Sequence, residues 1–555
     1  MRVRRSRARA EQITRETPIV RPVRLFSGRG RLGRLDCSAG HVGLERFDYY
    51  PARVSFQPPS ILASAIVCFA LAASSFGRAA ELRPPPNGPP TLTLQPCQLE
   101  DSLRVNVVSA DCGELSVREN PQDTHSRRIG LWVARVPAIS RRKQPDPLFV
   151  LAGGPGMAAT VFYASIASAF ERIHRDRDII LVDQRGTGRS NALTCALSDD
   201  VVEQSSDEQI VNEAKHCATS LASHADIAFY TTSLAVQDLD LARSALGYRV
   251  INIYGVSYGT RVAQHYVRRF PNRVRTLVLD GVVPPQLILG PAFALNAEAA
   301  LDRVLARCNG DADCRARFGD PAADYRTLRG SLETRPVEVS LPDPTDGHTL
   351  KLQFGRYQFA TVLRLATYAS EQAALLPLLL HRASDSNDFA PLAAQFLLVT
   401  RAYAEVVAYG MHNTVICSED APFYAQVTID RQALEATYLG ATQLDGLRRI
   451  CAVWRRGPVD SDFHAPLHTP APVLLLSGSD DPVTPPADAE TARRYFTHSV
   501  HLVLQGFGHG QLTAPCIGQL MATFLDRAAV EGLDVRCARE DKPMGFFTSL
   551  AGPAP

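Results

Sequence analysis

Lysine is almost missing from this chain. Of 555 residues only Lys143, Lys215, Lys351 and Lys542 are lysine, against 55 arginines, a bias that points to a GC-rich, bacterial coding source and implies no chemistry of its own. No C-x-x-C pair occurs, so a zinc reading lacks its commonest ligand spacing, and no metal or cofactor is expected. No internal repeat is present, which excludes a solenoid. The uncharged, mostly apolar run at 61–76 spans sixteen residues, short of the roughly 20 that a membrane-spanning helix needs. What remains is ordinary globular composition, 45% hydrophobic and 21% charged, in a chain long enough for one large domain with a sizeable insertion.

The first sixty residues differ in kind, with thirteen arginines against five acids and no periodicity. They read as an extension ahead of the run at 61–76. That run suits the apolar core of a secretory signal, with small residues at Ala79-Ala80 as the candidate cleavage site. Removing residues 1–80 takes away fourteen arginines and five acids and moves the formal charge from +2 to −7. A mildly acidic mature chain has no electrostatic case for binding nucleic acid, and no stable membrane span is expected in it.

The chemistry starts at Gly255-Val256-Ser257-Tyr258-Gly259. An apolar strand precedes it and a helical pattern follows, the context of a nucleophile elbow. A serine on so sharp a turn sits in strained backbone, and glycines at 255 and 259 remove side chains that would collide. A hydroxyl needs a base to take its proton, and the base needs a third group to hold its tautomer. In this chain order the partners lie at the ends of later strands. The strand 472–477 opens into Gly478-Ser-Asp-Asp-Pro and the strand 499–504 into Gln505-Gly-Phe-Gly-His-Gly. Asp481 is the expected orienting acid, with Asp480 as rival. His509, between two glycines, is the expected base, ahead of His498 and His501, which flank or sit within the strand. For the oxyanion, the expected donors are the main-chain N–H groups of Tyr258 and of Gly154, in the Gly153-Gly-Pro-Gly156 loop.

With those residues in place, the chain resembles the tripeptidyl and prolyl aminopeptidase family of α/β-hydrolases. Further motifs carry the likeness: Asp183-Gln-Arg-Gly-Thr-Gly-Arg-Ser190, Tyr230-Thr-Thr232, Asp238-Leu-Asp240, Leu279-Asp-Gly-Val282 and Asp481-Pro-Val-Thr-Pro-Pro486. Ala152 stands where prolyl aminopeptidases usually carry histidine, so the secreted tripeptidyl branch is the better likeness. The resemblance implies exopeptidase action on peptides with a free N-terminus, through an acyl-enzyme. Asp183 and Arg185 are read as structural. Glu419 and Asp420 are the candidates for receiving the substrate's ammonium group.

The expected fold is α/β, a doubly wound, mostly parallel sheet with an inserted, mainly helical cap. It divides into a basic extension with a signal-like segment (1–80), a proline-rich linker (81–96), the first part of the core (97–285), the cap (286–465), the part bearing Asp481 and His509 (466–540) and a tail (541–555). Short strands are expected at 103–108 and 115–118. Two cysteines, Cys37 and Cys68, fall in the leader. The other ten, Cys97, Cys112, Cys195, Cys217, Cys308, Cys314, Cys417, Cys451, Cys516 and Cys537, form close sequential couples. Five disulfides in an oxidising compartment, periplasmic or extracellular, would suit them; connectivity stays open, although the last four couples also resemble the secreted branch. Two other readings stand beside the exopeptidase: an esterase or lipase using the same triad, and a silent hydrolase fold that only binds.

Overall fold

This computed structural model describes residues 92–195, 207–344 and 346–553. The basic extension, the signal-like segment and the linker up to residue 91 lie outside them.

Buried strands with apolar side chains on both faces organise the molecule. β1 (Gln95–Glu100), β2 (Val107–Arg118), β3 (Arg128–Val136), β4 (Leu148–Leu151), β5 (Ile179–Val182), β6 (Ile251–Val256) and β7 (Val274–Asp280) precede a long excursion. β10 (Val473–Gly478) and β11 (Ser499–Leu504) follow it. Together they make one nine-stranded sheet in the order β1-β2-β3-β5-β4-β6-β7-β10-β11. Strands β5, β4, β6, β7, β10 and β11 run parallel, and β1 to β3 add antiparallel strands at one edge. The parallel strands are near-continuous Val, Ile and Leu because helices cover both faces. Period-two alternation sorts their side chains. Phe149, Ile253, Leu279 and Leu475 enter one core, and Val150, Tyr254, Val278 and Leu474 the other.

Between β7 and β10 the chain builds a third core of its own, with Leu301, Leu363, Leu380 and Phe396 at its centre. Its helices include Phe293–Gly310, Arg356–Ala366, Leu376–Ser386 and Ala390–Val406. The expectation of a mainly helical insertion holds, with one addition: β8 (Val337–Pro342) and β9 (Thr349–Phe354) pair as an antiparallel hairpin. Its alternation is easily lost in a short, half-exposed stretch.

Three other expectations change. The segments 103–108 and 115–118 are not two strands; Val107–Arg118 is one strand of twelve residues, paired on both sides. The linker ends earlier than residue 96, because β1 starts at Gln95. The tail is packed: Phe546 joins the core of the insertion, and the Phe547 N–H donates to the Ala374 carbonyl at 3.1 Å. All ten cysteines among the described residues are joined in sequential couples: 97–112, 195–217, 308–314, 417–451 and 516–537.

Candidate active site

β6 ends in a strained turn. Ser257 has φ 56° and ψ −126° before the helix Tyr258–Arg269 begins, a conformation that costs a non-glycine residue about 1–3 kcal/mol. The glycines explain themselves in contacts. A Cβ on Gly255 would lie 2.5 Å from the Gly259 carbonyl oxygen, and one on Gly259 would lie 2.5 Å from the Leu151 oxygen at the end of β4. The turn is tied to the neighbouring strand: the Ser257 N–H donates to the Asp280 carbonyl at 2.8 Å. The Thr260 hydroxyl donates to the Ser257 carbonyl at 2.6 Å and accepts from the Val283 N–H at 2.8 Å.

His509 is held from three directions. Its N–H donates to the Tyr368 carbonyl at 2.7 Å, and its ring meets the Tyr368 ring edge-to-face at 5.2 Å. Nδ1 lies 2.8 Å from Asp481 Oδ2. A Cβ on Gly281, just past β7, would sit 3.0 Å from the imidazole Cε1, so the end of β7 contacts both Ser257 and His509. Asp481 is fully buried; its Oδ1 accepts the N–H groups of Val483 and Thr484, each at 2.8 Å. Its Oδ2 also accepts the Thr484 hydroxyl at 2.9 Å. With Nδ1–H bonded to that carboxylate, Nε2 carries the lone pair a general base needs. Burial pushes the His509 pKa down, but the charge and hydrogen bond of Asp481 outweigh it, and the net direction is upward.

The rivals go elsewhere. Asp480 faces Arg303 and Arg307 at 3.7 and 3.6 Å. His501 is held by Glu490 and Ser477 at 2.6 and 3.0 Å, and His498 is an exposed partner of Glu531. Tyr258 is the first residue of its helix, so its N–H has no intrahelical acceptor. The glycine loop comes closest to the serine at Gly153, where a Cβ would be 3.0 Å from Ser257 Cβ. The next N–H along is that of Gly154, whose φ of 108° turns the chain sharply there.

Glu419 and Asp420 are not placed to receive an ammonium group. Both are fully buried. The two oxygens of Asp420 engage Arg261 Nη1 at 3.1 and 2.9 Å, and Oδ1 accepts the Leu289 N–H at 2.8 Å. Glu419 accepts the N–H and the hydroxyl of Thr232 at 2.7 and 2.9 Å, and burial pushes its pKa up to about 8. The Tyr258 phenol, also buried, joins the same group through Thr232 and Gln184. These acids bolt the inserted segment onto the elbow helix and its neighbour. Asp183 and Arg185 are structural as expected: Arg185 makes a fork with Asp238 at 2.6 and 2.9 Å, and Asp183 accepts from Thr160 and Arg189.

Next to Tyr368 lies a cavity of about 770 Å³. Tyr368, beside His509, lines one part of it. Tyr409 lines another, next to Ala408, whose N–H donates to the Gly156 carbonyl at 3.0 Å. Among the described residues, no Asp or Glu lines it, and no group of three or more potential ligands could hold a metal. His464 and His468 have a four-residue spacing, but both His464 nitrogens face carbonyls, those of Pro285 and Glu419.

Comparison with known proteins gives the same result as the topology. Residues 146–304 match the family described as alpha/beta hydrolase fold, and residues 436–537 match TAP-like protein. The chain has the α/β-hydrolase fold, and its C-terminal part is similar to TAP-like protein. It is 25% identical to the tripeptidyl aminopeptidase of Streptomyces coelicolor over 473 residues, 78% of this chain and 84% of that protein. It is 27% identical to carboxylesterase B of Mycobacterium tuberculosis over 415 residues, 68% of this chain and 76% of the relative. The putative hydrolase YuaR of Escherichia coli is 30% identical over 182 residues, where the match spans 31% of this chain and only 36% of YuaR.

The sequence reading missed one carboxylate at the site. Asp280 ends β7, is fully buried, and accepts the Gln511 N–H at 3.0 and 2.8 Å and the Tyr254 hydroxyl at 2.8 Å. Burial lifts its pKa to about 6. It fixes the loop bearing His509, and an acid closing an otherwise apolar strand was the signal for it.

Proposed function

We propose that this chain is an exported serine exopeptidase that releases short peptides or amino acids from peptides with a free N-terminus. The observation that carries it is the 2.8 Å contact between His509 and Asp481, beside a serine on a strained elbow. Ser257 Oγ attacks the scissile carbonyl while His509 Nε2 takes its proton, and the N–H groups of Tyr258 and Gly154 receive the oxyanion. A donor of that kind is typically worth about 3 kcal/mol of barrier. His509 then protonates the leaving amine; water, deprotonated by the same nitrogen, attacks the acyl-enzyme and releases the acid. Likeness to a tripeptidyl aminopeptidase along 84% of its length supports peptide substrates. Five disulfides among the described residues support an oxidising compartment.

An esterase is the second reading. The likeness to carboxylesterase B and the lack of an acid lining the described cavity favour it. Matched fluorogenic peptides with free and acetylated N-termini, run with a p-nitrophenyl ester and the Ser257→Ala variant, separate the two. Cleavage only of the free-amine peptides, lost in the variant, supports the exopeptidase. Ester turnover with no peptide cleavage, also lost in the variant, moves the chain to the esterases.

A further inference from the structure

The cavity that reaches Tyr368, beside His509, contains a cation that no acid among the described residues neutralises. Two arginines line it. Arg356 pairs with Glu333. Arg364, two turns further along the same helix, has no carboxylate within ion-pair distance among the described residues. Its polar contact is the Tyr368 hydroxyl at a long 3.5 Å, and Phe293 lies under the guanidinium at 6.0 Å. Tyr368, Tyr403 and Tyr438 surround it and line the same cavity. On that wall Tyr438 Oη and Gln443 Oε1 are buried without a hydrogen-bond partner among the described residues.

A guanidinium that no carboxylate among the described residues pairs, in a phenol-lined cavity, is costly to the free protein and strongly attractive to an anion. Its planar fork fits two oxygens on one carbon better than a point charge does. The position is also informative. Tyr368 spans the distance from Arg364 to the reacting centre: its hydroxyl faces the guanidinium, while its carbonyl and ring hold His509. An anion on Arg364 would therefore belong to the molecule being cleaved.

We propose that Arg364, with the surrounding tyrosine hydroxyls, is a subsite for a carboxylate carried by the substrate. This rests on the reading of Ser257 and His509 as the reacting centre. For a peptidase, the subsite would select short peptides whose C-terminal carboxylate, or an acidic side chain, lies a few bonds from the scissile carbonyl.

The test is a ratio of kcat/KM within substrate pairs, using the full chain. One pair is a short peptide as free acid and as C-terminal amide; a second is a peptide amide containing Glu or Gln. A third is the p-nitrophenyl half-ester of glutaric acid against p-nitrophenyl butyrate. The carboxylate member is expected to lead by about 10- to 100-fold in the wild type, to fall to near parity in Arg364→Gln, and to recover in part in Arg364→Lys. The pair showing the preference identifies the source of the carboxylate. A wild-type ratio near one in all three pairs overturns the subsite even if no variant folds, as does a ratio that survives Arg364→Gln. Peptide cleavage without any preference would leave the peptidase reading standing and remove the subsite. A preference confined to the esters and lost in Arg364→Gln would do the reverse.

Discussion

Two adjacent aspartates behave differently here, and a substitution at each should show it. Asp481 holds the His509 imidazole, while Asp480 faces Arg303 and Arg307 on another side. Asp481→Asn should lower kcat by about 10⁴-fold, the scale seen when an amide replaces the orienting acid of a triad. Asp480→Asn should stay within about three-fold, since a merely partial ion pair is lost. Catalysis needs neutral His509, so kcat/KM rises with pH through its pKa. Asp481 raises that pKa, so the residual activity of Asp481→Asn should have its acid limb at lower pH. Equal losses at 480 and 481 would sink the assignment. Glu419 gives a stability readout instead. Its pKa is raised to about 8 by burial, against an ordinary value near 4.3. The folded state therefore holds a proton that the unfolded chain releases, and stability falls as pH rises between those values. Glu419→Gln, which keeps the neutral shape, should melt above the wild type at pH 8, with the gap closing towards pH 5. A gap that does not change with pH would mean Glu419 is ionised in the fold.

At the scale of elements, the elbow is a packing problem between two strand ends. Gly259→Ala would put a Cβ 2.5 Å from the Leu151 carbonyl and 2.6 Å from that of Ala152. Both atoms are backbone at the end of β4, so nothing flexible can yield. A loss of about 1–3 kcal/mol and of most Ser257 turnover is expected. Gly247→Ala is the contrast: its φ is 79°, but a Cβ there meets nothing within 4 Å. It should cost about 1 kcal/mol and spare turnover. Denaturant melts and active-site labelling by a fluorophosphonate would decide it; similar outcomes for the two glycines would refute the steric account. This elbow was legible in the sequence because one motif encodes strand, turn and helix together. The parallel strands were legible for a related reason: burial on both faces leaves continuous apolar runs. The β8–β9 hairpin was not, since its burial alternates over few residues. Nor was the role of Glu419 and Asp420. Acids beside a cysteine in an insertion look available for a ligand, and only the fold brings Arg261 and Thr232 to them. Arg364 likewise looks like any helix arginine until the cavity places it.

Across the whole molecule, five covalent ties reinforce three cores, and they should not be equal. In the loop-closure account a disulfide stabilises by restricting the unfolded chain, with an effect growing as the logarithm of the loop. Cys417–Cys451 closes a separation of 34 residues and Cys308–Cys314 one of 6, which predicts about 4 and about 2 kcal/mol respectively. The longer tie also has a structural consequence. Cys417 lies in the turn bearing Glu419 and Asp420, and Cys451 lies in the last turn of the helix Thr442–Val453, whose Thr442 and Gln443 line the cavity. Replacing both Cys417 and Cys451 by serine should therefore lower the melting temperature more than replacing Cys308 and Cys314. It should also raise KM, by freeing a cavity wall from the segment anchored to the elbow helix. The 308/314 variant should keep the wild-type KM, because neither cysteine lines the cavity. Thermal melts and steady-state kinetics on the two double variants test both halves. If the two lose equal stability, loop length does not govern these bridges. If KM stays fixed when Cys417 and Cys451 are gone, the cavity wall is held by packing alone.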